Sequence, residues 1–364
     1  MQKNKAAILL SRQSMRPSGN TPWIKNTYKA LKWIKANNYT LISSVGMQTW
    51  EMITAIASDL NITQEIQIPC KDNLDFNNYT KYAIEQFEID KNITKLLPIL
   101  PEQNKSHLHL RDEIVLGNAD FLVPVSIRSD GFMKSYIQTN KNNQNIIEKF
   151  QTDYQSRIET MKYSIGKDNI NPSFKSIGNT CLTHWTRSTN YNWPDETKIS
   201  YWRSIVSSNN YPRRAFQALK HILSVRNIIS SERHMPKGVN AVSFTSLPPI
   251  EAISLMKWRA RYREMSFEPY GIAIEKDWGI KNGITEVQYF DPSLKQKPTP
   301  EEKWHSQSIG KKTDWQQEHE YRYKNDFNLD IVPKNKLIAI CYKPDEIKEI
   351  ESDFGIRAIS ILSY

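Results

Sequence analysis

The amino-acid sequence predicts two domains, an α/β domain built on a parallel sheet in the first third and an α+β domain in the second half. The chain has 364 residues, which is too long for one ordinary hydrophobic core. Its first third alternates short apolar runs with stretches of helical periodicity, as in a parallel sheet with crossover helices. Its second half lacks this regular alternation. These observations predict the two fold classes.

The first domain is predicted over residues 1–135. Short apolar runs predict its strands, and apolar residues at helical spacing predict the helices between them. Strands are expected at residues 6–10, 39–45, 65–69 and 121–127, and helices at 26–37, 50–60 and 111–116. The last of these strands is apolar throughout, so we expect it to be buried on both faces.

A polar linker is predicted at residues 136–178, with one helix at 145–161, and the second domain at 179–364. Strands are expected there at residues 181–186, 241–245, 270–274, 286–290 and 337–342, and helices at 213–224 and 249–263. Residues 258–263 bring a Trp, a Tyr and three Arg onto the last helix. That stretch indicates either a nucleic-acid contact or a surface helix packed by its aromatic residues.

The composition suggests partners and a compartment. There are 49 Lys and Arg against 39 Asp and Glu, a net charge of +10, which favours polyanions or simply keeps the protein soluble. Cys70, Cys181 and Cys341 are odd in number and far apart, as expected of free thiols in a reducing compartment. No signal peptide or membrane-spanning stretch is recognisable, so we expect a cytoplasmic protein without a membrane partner.

No metal site is predicted. His107 and His109 are two residues apart, and on a strand they would face the same way. No carboxylate or Cys completes a ligand set around them.

Polar side chains follow the predicted strands of the first domain, where ligands of open parallel sheets bind. A Ser-rich turn before a helix offers N–H and O–H groups to an anion, and Arg side chains neutralise it. A plain tight turn is the structural alternative. The candidate nucleotide-binding residues are Ser11, Arg12, Ser43, Ser44, Gly46, Arg111 and Gly131.

These residues give the first domain a resemblance to the Rossmann-like family of the DNA-processing protein DprA and the SLOG nucleotide-binding proteins. The resemblance covers about residues 6–133 and lacks the Gly-Gly-x-Gly-Thr loop of the lysine-decarboxylase-like members. It implies a domain that senses a nucleotide or DNA.

Three motifs follow one another in the second half: THWTR at 183–187, VSFTS at 242–246 and WQQEHEYR at 315–322. Transfer from NAD needs a carboxylate that favours the positive charge developing on the ribose, with polar side chains that hold the nucleotide. Glu318 and Glu320 alternate, so on a strand both would point to one face. A salt bridge from Glu320 to Arg322, Arg259 or Arg261 is the structural alternative.

In this order the motifs resemble those of the ADP-ribosyltransferase superfamily, and most closely its DNA-targeting toxins and the AbiG-like abortive-infection proteins of phage defence. The resemblance implies that NAD is bound, that Glu320, Glu318 and His184 are catalytic, and that nucleic acid or protein is modified. The NAD-binding residues it implies are His184, Thr186, Arg187, Ser243, Thr245 and Ser246. The alternatives are an NAD glycohydrolase and a non-catalytic nucleic-acid-binding protein with a degenerate transferase fold.

Overall fold

The computed structural model of this protein describes most of the chain. The described residues are 3–101, 107–140, 142, 144–155, 160–232, 235, 238–291, 293, 298–309 and 315–364. The side chains of residues 107–109 and 315 lie outside the description. The prediction about His107 and His109 therefore concerns side chains outside the described part of the chain, although their backbone begins a helix rather than a strand.

Strands and helices alternate from the first described residues to residue 140. The strands are β1 (Lys5–Leu10), β2 (Thr40–Ser44), β3 (Gln64–Pro69), β4 (Thr94–Ile99), β5 (Phe121–Ser126) and β6 (Asn145–Ile146). The helices are α1 (Pro22–Ala36), α2 (Gln48–Asp59), α3 (Asn73–Gln86), α4 (His107–Gly117) and α5 (Phe132–Asn140). The alternation predicted for this part is confirmed.

These strands form one parallel sheet of six strands in the order β4-β3-β2-β1-β5-β6. Its central strands are buried along almost their whole length, and β5 has the burial on both faces that its apolar run predicts. Carboxyl ends of parallel strands share one sheet edge, so the loops after β1, β2 and β5 lie along that edge.

The rest of the chain contains many short strands. They are β7 (Cys181–Trp185), β8 (Asn227–Ile228), β9 (Ala241–Thr245), β10 (Trp258–Arg259), β11 (Glu264–Met265), β12 (Gly271–Glu275), β13 (Thr285–Glu286), β14 (Gln288–Phe290), β15 (Ser306–Ser308), β16 (Glu320–Lys324), β17 (Phe327–Asn328), β18 (Leu337–Cys341) and β19 (Ala358–Ser360). The helices are α6 (Pro172–Lys175), α7 (Lys198–Ser207), α8 (Ala215–Val225), α9 (Pro249–Ala252), α10 (Lys276–Lys281) and α11 (Asp345–Phe354).

Seven of these strands form a mixed sheet in the order β13-β16-β9-β7-β12-β18-β19, in which only β18 and β19 run parallel. One apolar cluster packs against this sheet and includes Leu219 of α8 and Ile350 of α11. A second cluster holds Phe174 of α6 and Ala252 of α9. Alternate residues of β12 enter the two clusters, so each face of the sheet has its own core.

The described chain divides into two compact units, residues 1–159 with 190–212, and residues 160–189 with 213–364. The boundaries differ from the predicted ones in two ways. Residues 136–178, predicted as a linker, are shared between the units. Residues 190–212, which we call the inserted arm, leave the second unit and return to it.

The inserted arm is part of the core of the first unit. Thr197 caps the start of α7 by accepting a hydrogen bond from Ser200 N at 3.2 Å. Trp202 and Ile205 of this helix are almost completely buried in the apolar cluster around the parallel sheet. Lys198 also forms an ion pair with Glu51 of α2 at 2.9 Å. This packing explains why the arm belongs to the first unit.

The residues that flank the inserted arm in the sequence belong to the second unit and are bonded to one another there. Thr189 N donates to the carbonyl oxygen of Arg213 at 3.0 Å. Ser188 Oγ donates to Glu268 Oε2 at 3.0 Å and accepts from Ala215 N at 3.1 Å. Glu268 is fully buried, so the two flanking segments meet at a carboxylate enclosed in the second unit.

The helix predicted at residues 145–161 is wrong over its described part. Residues 145–146 form edge strand β6 beside β5, and Ile147 N donates to the carbonyl of Leu122 at 2.9 Å. Phe150 then packs against Trp33, with ring centroids 6.0 Å apart. The sheet edge and this aromatic contact outweigh the local helical spacing.

The helix predicted at residues 249–263 is also wrong beyond its first turns. This segment begins with α9 and a short 3-10 turn at Ile253–Leu255. The antiparallel hairpin of β10 and β11 follows. Arg259 ends β10, and residues 260–263 form the turn of the hairpin, with Arg263 in a left-handed conformation at φ 53°. The strand predicted at 286–290 is divided, since β13 and β14 belong to different sheets.

Within the described residues, no helix has both the length and the apolar composition needed to cross a lipid bilayer. Cys70, Cys181 and Cys341 are all buried free thiols, as their wide separation in the sequence predicts.

Candidate functional site

Neighbouring strands bring the three motifs of the second unit together. β9 lies between β16 and β7 in the mixed sheet. Glu320 of β16 is paired in register with Thr245 of β9, which in turn is paired with Thr183 of β7. Motifs that are far apart in sequence therefore meet at one level of the sheet.

Glu320 is held by two side chains. Ser243 Oγ donates to its Oε1 at 2.7 Å. Arg322 donates from Nε to Oε1 at 2.8 Å and from Nη2 to Oε2 at 2.9 Å. The salt bridge to Arg322 that was the structural alternative is thus present, and the carboxylate is fixed in position by a two-pronged ion pair.

Strand register separates His184 from Glu320. Side chains alternate along a strand, so Thr183, Thr245 and Glu320 share one face and His184 faces the other. There the His184 ring packs edge-on against Phe244, with centroids 5.9 Å apart. The resemblance implies that His184 and Glu320 are both catalytic, but the structure places their side chains on opposite faces of the sheet.

His184 contacts the middle motif through the backbone. Its Nδ1 lies 2.9 Å from the carbonyl oxygen of Ser243. Burial lowers the pKa of His184 below 6.5; the contact with Ser243 opposes this, and Arg187 lowers the pKa further. Because a carbonyl only accepts, Nδ1 carries the hydrogen, and the neutral ring presents Nε2 as an acceptor.

The prediction that Glu318 and Glu320 share one face of a strand is wrong. It ends the 3-10 helix Trp315–Glu318, and His319 then takes a left-handed conformation with φ 44° before β16 begins. Burial raises the pKa of Glu318, the charge of Glu320 raises it further, and Arg259, 3.8 Å away, lowers it. The two carboxylates are still close enough to affect each other.

Thr245 and Ser246 hold the turn before Glu320. Thr245 Oγ1 donates to the carbonyl of Glu318 at 2.5 Å and accepts from Leu247 N at 3.0 Å. Ser246 N donates to the carbonyl of His319 at 3.0 Å. Thr245 and Ser246 were predicted to contact the nucleotide. In the structure they form hydrogen bonds with the protein's own backbone.

Thr186 and Arg187 lie past the end of β7. The Thr186 hydroxyl is buried, within hydrogen-bonding distance of the carbonyls of Tyr270 (3.1 Å) and Ala215 (3.3 Å). Arg187 forms an ion pair with Glu264 of the β10–β11 hairpin at 3.3 Å. Thr186 is thus part of the interior, whereas Arg187 joins β7 to the hairpin.

Thr183 lies at the same site but is not among the residues predicted from the sequence. Its side chain is 1% exposed, and its Oγ1 has no hydrogen-bond partner among the described residues. A buried hydroxyl without a partner is costly, so it marks a place for a further polar group. The available signal was the alternation of side chains between the two faces of a strand. In register with Glu320 and Thr245, it places Thr183 of β7 on their face and His184 on the other.

In the first unit, the predicted nucleotide-binding residues form two groups. Ser11 Oγ accepts from Arg128 N at 2.9 Å, beside the loop that holds Gly131, so β1 and β5 bring these residues together. Arg12 is exposed, and its carbonyl accepts from Tyr154 Oη at 3.1 Å. Arg128 also pairs with Asp130 through two contacts of 2.9 and 2.6 Å.

The second group lies at the end of β2. Ser43 and Ser44 are fully buried, at 3.0 Å from Thr54 Oγ1 and 2.6 Å from the carbonyl of Gln67 respectively. Arg111 is buried too and donates to the carbonyl of Val45 at 3.3 Å. The two Ser belong to the strand rather than to an open turn, so their hydroxyls serve internal packing and not an anion.

A cavity of about 260 Å³ lies at the carboxyl ends of β2 and β3. Its lining residues are Val45, Gly46, Pro69, Cys70, Lys71, Asp75 and Tyr79. Gly46 has φ +81°, and the space beside its Cα is open. Of the predicted residues, only Gly46 lines this cavity.

No group of three or more His, Cys, Asp or Glu that could hold a metal ion occurs within the described part of the chain. No protein-family model, no curated protein and no solved structure matches this chain.

Proposed function

We propose that this chain is an NAD-dependent ADP-ribosyltransferase-like effector of a bacterial phage-defence or toxin system. Glu320 carries the proposal, because it is a fixed carboxylate at the level where the three motifs meet. The α+β second unit would be the transferase-like domain. The first unit would be a Rossmann-like sensor of a nucleotide or DNA, which its parallel strand order supports.

NAD supplies an ADP-ribosyl group on a good leaving group, since nicotinamide departs with the electron pair of the broken bond. Glu320 provides a negative charge facing the positive charge that develops on the ribose. A carboxylate already held by Ser243 and Arg322 needs no rearrangement before it acts, which makes its charge effective.

The residues around Glu320 fit a nucleotide in part. Among the described residues, the Thr183 hydroxyl on the same face has no hydrogen-bond partner, and Ser243 is exposed beside the carboxylate. Arg187, whose side chain is 31% exposed, offers a positive charge for a phosphate. Thr183, Ser243 and Arg187 would therefore hold NAD, whereas Thr186 and Thr245 would support the strands.

The acceptor would approach on the side of Glu318. This carboxylate lies near Glu320, and burial together with the charge of Glu320 raises its pKa above the ordinary value of a Glu, which favours a group that takes a proton from the acceptor. Nucleic acid, protein and water are all chemically suitable acceptors. If water were the acceptor, the protein would be an NAD glycohydrolase.

Mass spectrometry of NAD-treated protein tests the proposal, with DNA, RNA and a bacterial lysate as acceptors. We expect wild type to release nicotinamide and Glu320→Gln to release at least about 100-fold less, as with other electrostatic stabilisers of a transition state. The control is Glu251→Gln, an exposed carboxylate of α9 in the same unit. No nicotinamide release and no adduct on any acceptor would contradict the enzymatic proposal.

A non-catalytic nucleic-acid-binding protein is the second candidate function. Two observations favour it: Glu320 is already paired with Arg322, and the β10–β11 hairpin exposes Arg261, Tyr262 and Arg263. A steep salt dependence of DNA affinity, together with no thermal shift on adding NAD, would support this candidate over the first.

A further inference from the structure

The guanidinium group of Arg322 is completely satisfied inside the protein. Its side chain is 3% exposed, and an Arg has five N–H donors. Besides the two bonds to Glu320, Nη2 donates to Gln307 Oε1 at 2.9 Å. Nη1 donates to the carbonyls of Trp304 and Ser306, both at 3.3 Å. Each of the five donors therefore has an acceptor.

This arrangement leaves Glu320 little freedom. Two parallel bonds from a planar guanidinium fix the plane of the carboxylate as well as its position. With Ser243, Oε1 accepts two hydrogen bonds and Oε2 accepts one. A carboxylate has about four acceptor sites, so one site on Oε2 remains for a ligand among the described contacts.

We infer that Arg322 is a positioning residue for the reaction of Glu320. It acts through Glu320 by fixing the plane and the charge of the carboxylate, and Gln307 and the carbonyls of Trp304 and Ser306 hold Arg322 in turn. The role rests on the proposed function, because it requires that Glu320 face a reacting ribose. Glu320 then acts through the fixed position of its carboxylate plane.

Lys cannot replace Arg here. Lysine carries a point charge on a flexible stem and cannot make two parallel bonds to one carboxylate. The variant Arg322→Lys keeps the positive charge and loses the two parallel N–H donors. It therefore separates the positioning of Glu320 from the neutralisation of its charge.

Steady-state nicotinamide release by wild type, Arg322→Lys and Arg322→Ala tests this role, with the fold of each variant checked by circular dichroism. We expect Arg322→Lys to lower kcat about 100-fold, as misplacement of a reacting group by about 1 Å does. KM for NAD should stay within about threefold, because uniform binding is unchanged. Millimolar guanidinium should partly restore Arg322→Ala, and methylammonium should not.

Gln307→Ala is the second variant, in case Arg322 variants fail to fold. It loosens the guanidinium without removing charge, so we expect a smaller fall in kcat and again little change in KM.

An active wild type with an unchanged kcat in folded Arg322→Lys, or in Gln307→Ala where Arg322 variants do not fold, would overturn the positioning role alone. A rise in KM that accounts for the whole loss would overturn it as well. A wild type that releases no nicotinamide contradicts the proposed function, and the positioning role with it.

Discussion

At the scale of single residues, the pKa of His184 couples the candidate site to folding stability. Burial lowers this pKa below 6.5, so the folded protein binds a proton at His184 less readily than the unfolded chain does. Stability from this group is fully present above about pH 6.5 and is lost as the pH falls below it, because only the unfolded chain then gains the proton.

We therefore expect the free energy of unfolding of wild type to fall between pH 7.5 and pH 5.5 by more than that of His184→Gln. Gln keeps a donor for the Ser243 carbonyl but does not titrate. Urea unfolding at both pH values measures the difference, with His221→Gln of α8 as the control. Equal pH dependence in wild type and His184→Gln would contradict this interpretation of His184.

Residue-scale geometry also shows what the sequence could predict of the site. Glu320, Ser243 and Thr245 come together because β16 and β9 pair, and period-two alternation finds them on one face. The role of Thr186 as part of the interior depends on where β12 lies, which no local pattern contains. The buried Arg322 was visible only as a possible salt-bridge partner.

At the scale of elements, the β10–β11 hairpin tests the second candidate function. Its tip exposes Arg261, Tyr262 and Arg263, and Arg261 lies 5.6 Å from the Tyr262 ring. If the hairpin binds single-stranded nucleic acid, each Arg that neutralises a phosphate adds about 0.7 to the slope of log affinity against log salt.

Arg261→Ala and Arg263→Ala are then each expected to reduce that slope by about 0.7 and to weaken binding to all sequences similarly. Fluorescence anisotropy with a labelled oligonucleotide between 50 and 200 mM salt, conditions in which such slopes are resolved, measures both effects. Arg357→Ala is the control, an exposed Arg elsewhere in the unit. Slopes unchanged in both hairpin variants would rule out the hairpin as the contact.

Strongly periodic elements were the predictable part of the fold. β1, β2, β5, β9 and β18 appear where apolar runs predict them, since a buried strand must be apolar. The amphipathic helices α3, α7 and α11 were missed. Each has many polar residues, and only tertiary packing shows which face is buried. Helix α7 also lies in the inserted arm, whose place in the sequence would assign it to the second unit.

At the scale of the whole molecule, the inserted arm decides which unit a substitution destabilises. Trp202 is 1% exposed in the core of the first unit, although it follows β7 of the second unit in sequence. Leu219 of α8 is fully buried in the core of the second unit and is close to Trp202 along the chain.

Trp202→Ala is expected to cost the first unit about 3–5 kcal/mol, and Leu219→Ala to cost the second unit about 3 kcal/mol. Native-state hydrogen exchange resolved by mass spectrometry assigns each loss, with peptides from β1 and β5 reporting on the first unit and peptides from β12 and β18 on the second. Loss of protection in β12 rather than β1 for Trp202→Ala would contradict the assignment of the arm.

The inserted arm also bears on how this gene can be cut and recombined. The chain passes from one unit to the other three times, after residues 159, 189 and 212. A fragment that starts at Thr160 would therefore carry the exposed apolar side chains of Trp202 and Ile205, and a fragment that stops at residue 159 would lack them. A single cut in the chain therefore separates neither unit whole from the other, so an exchange of one unit must carry both of its segments.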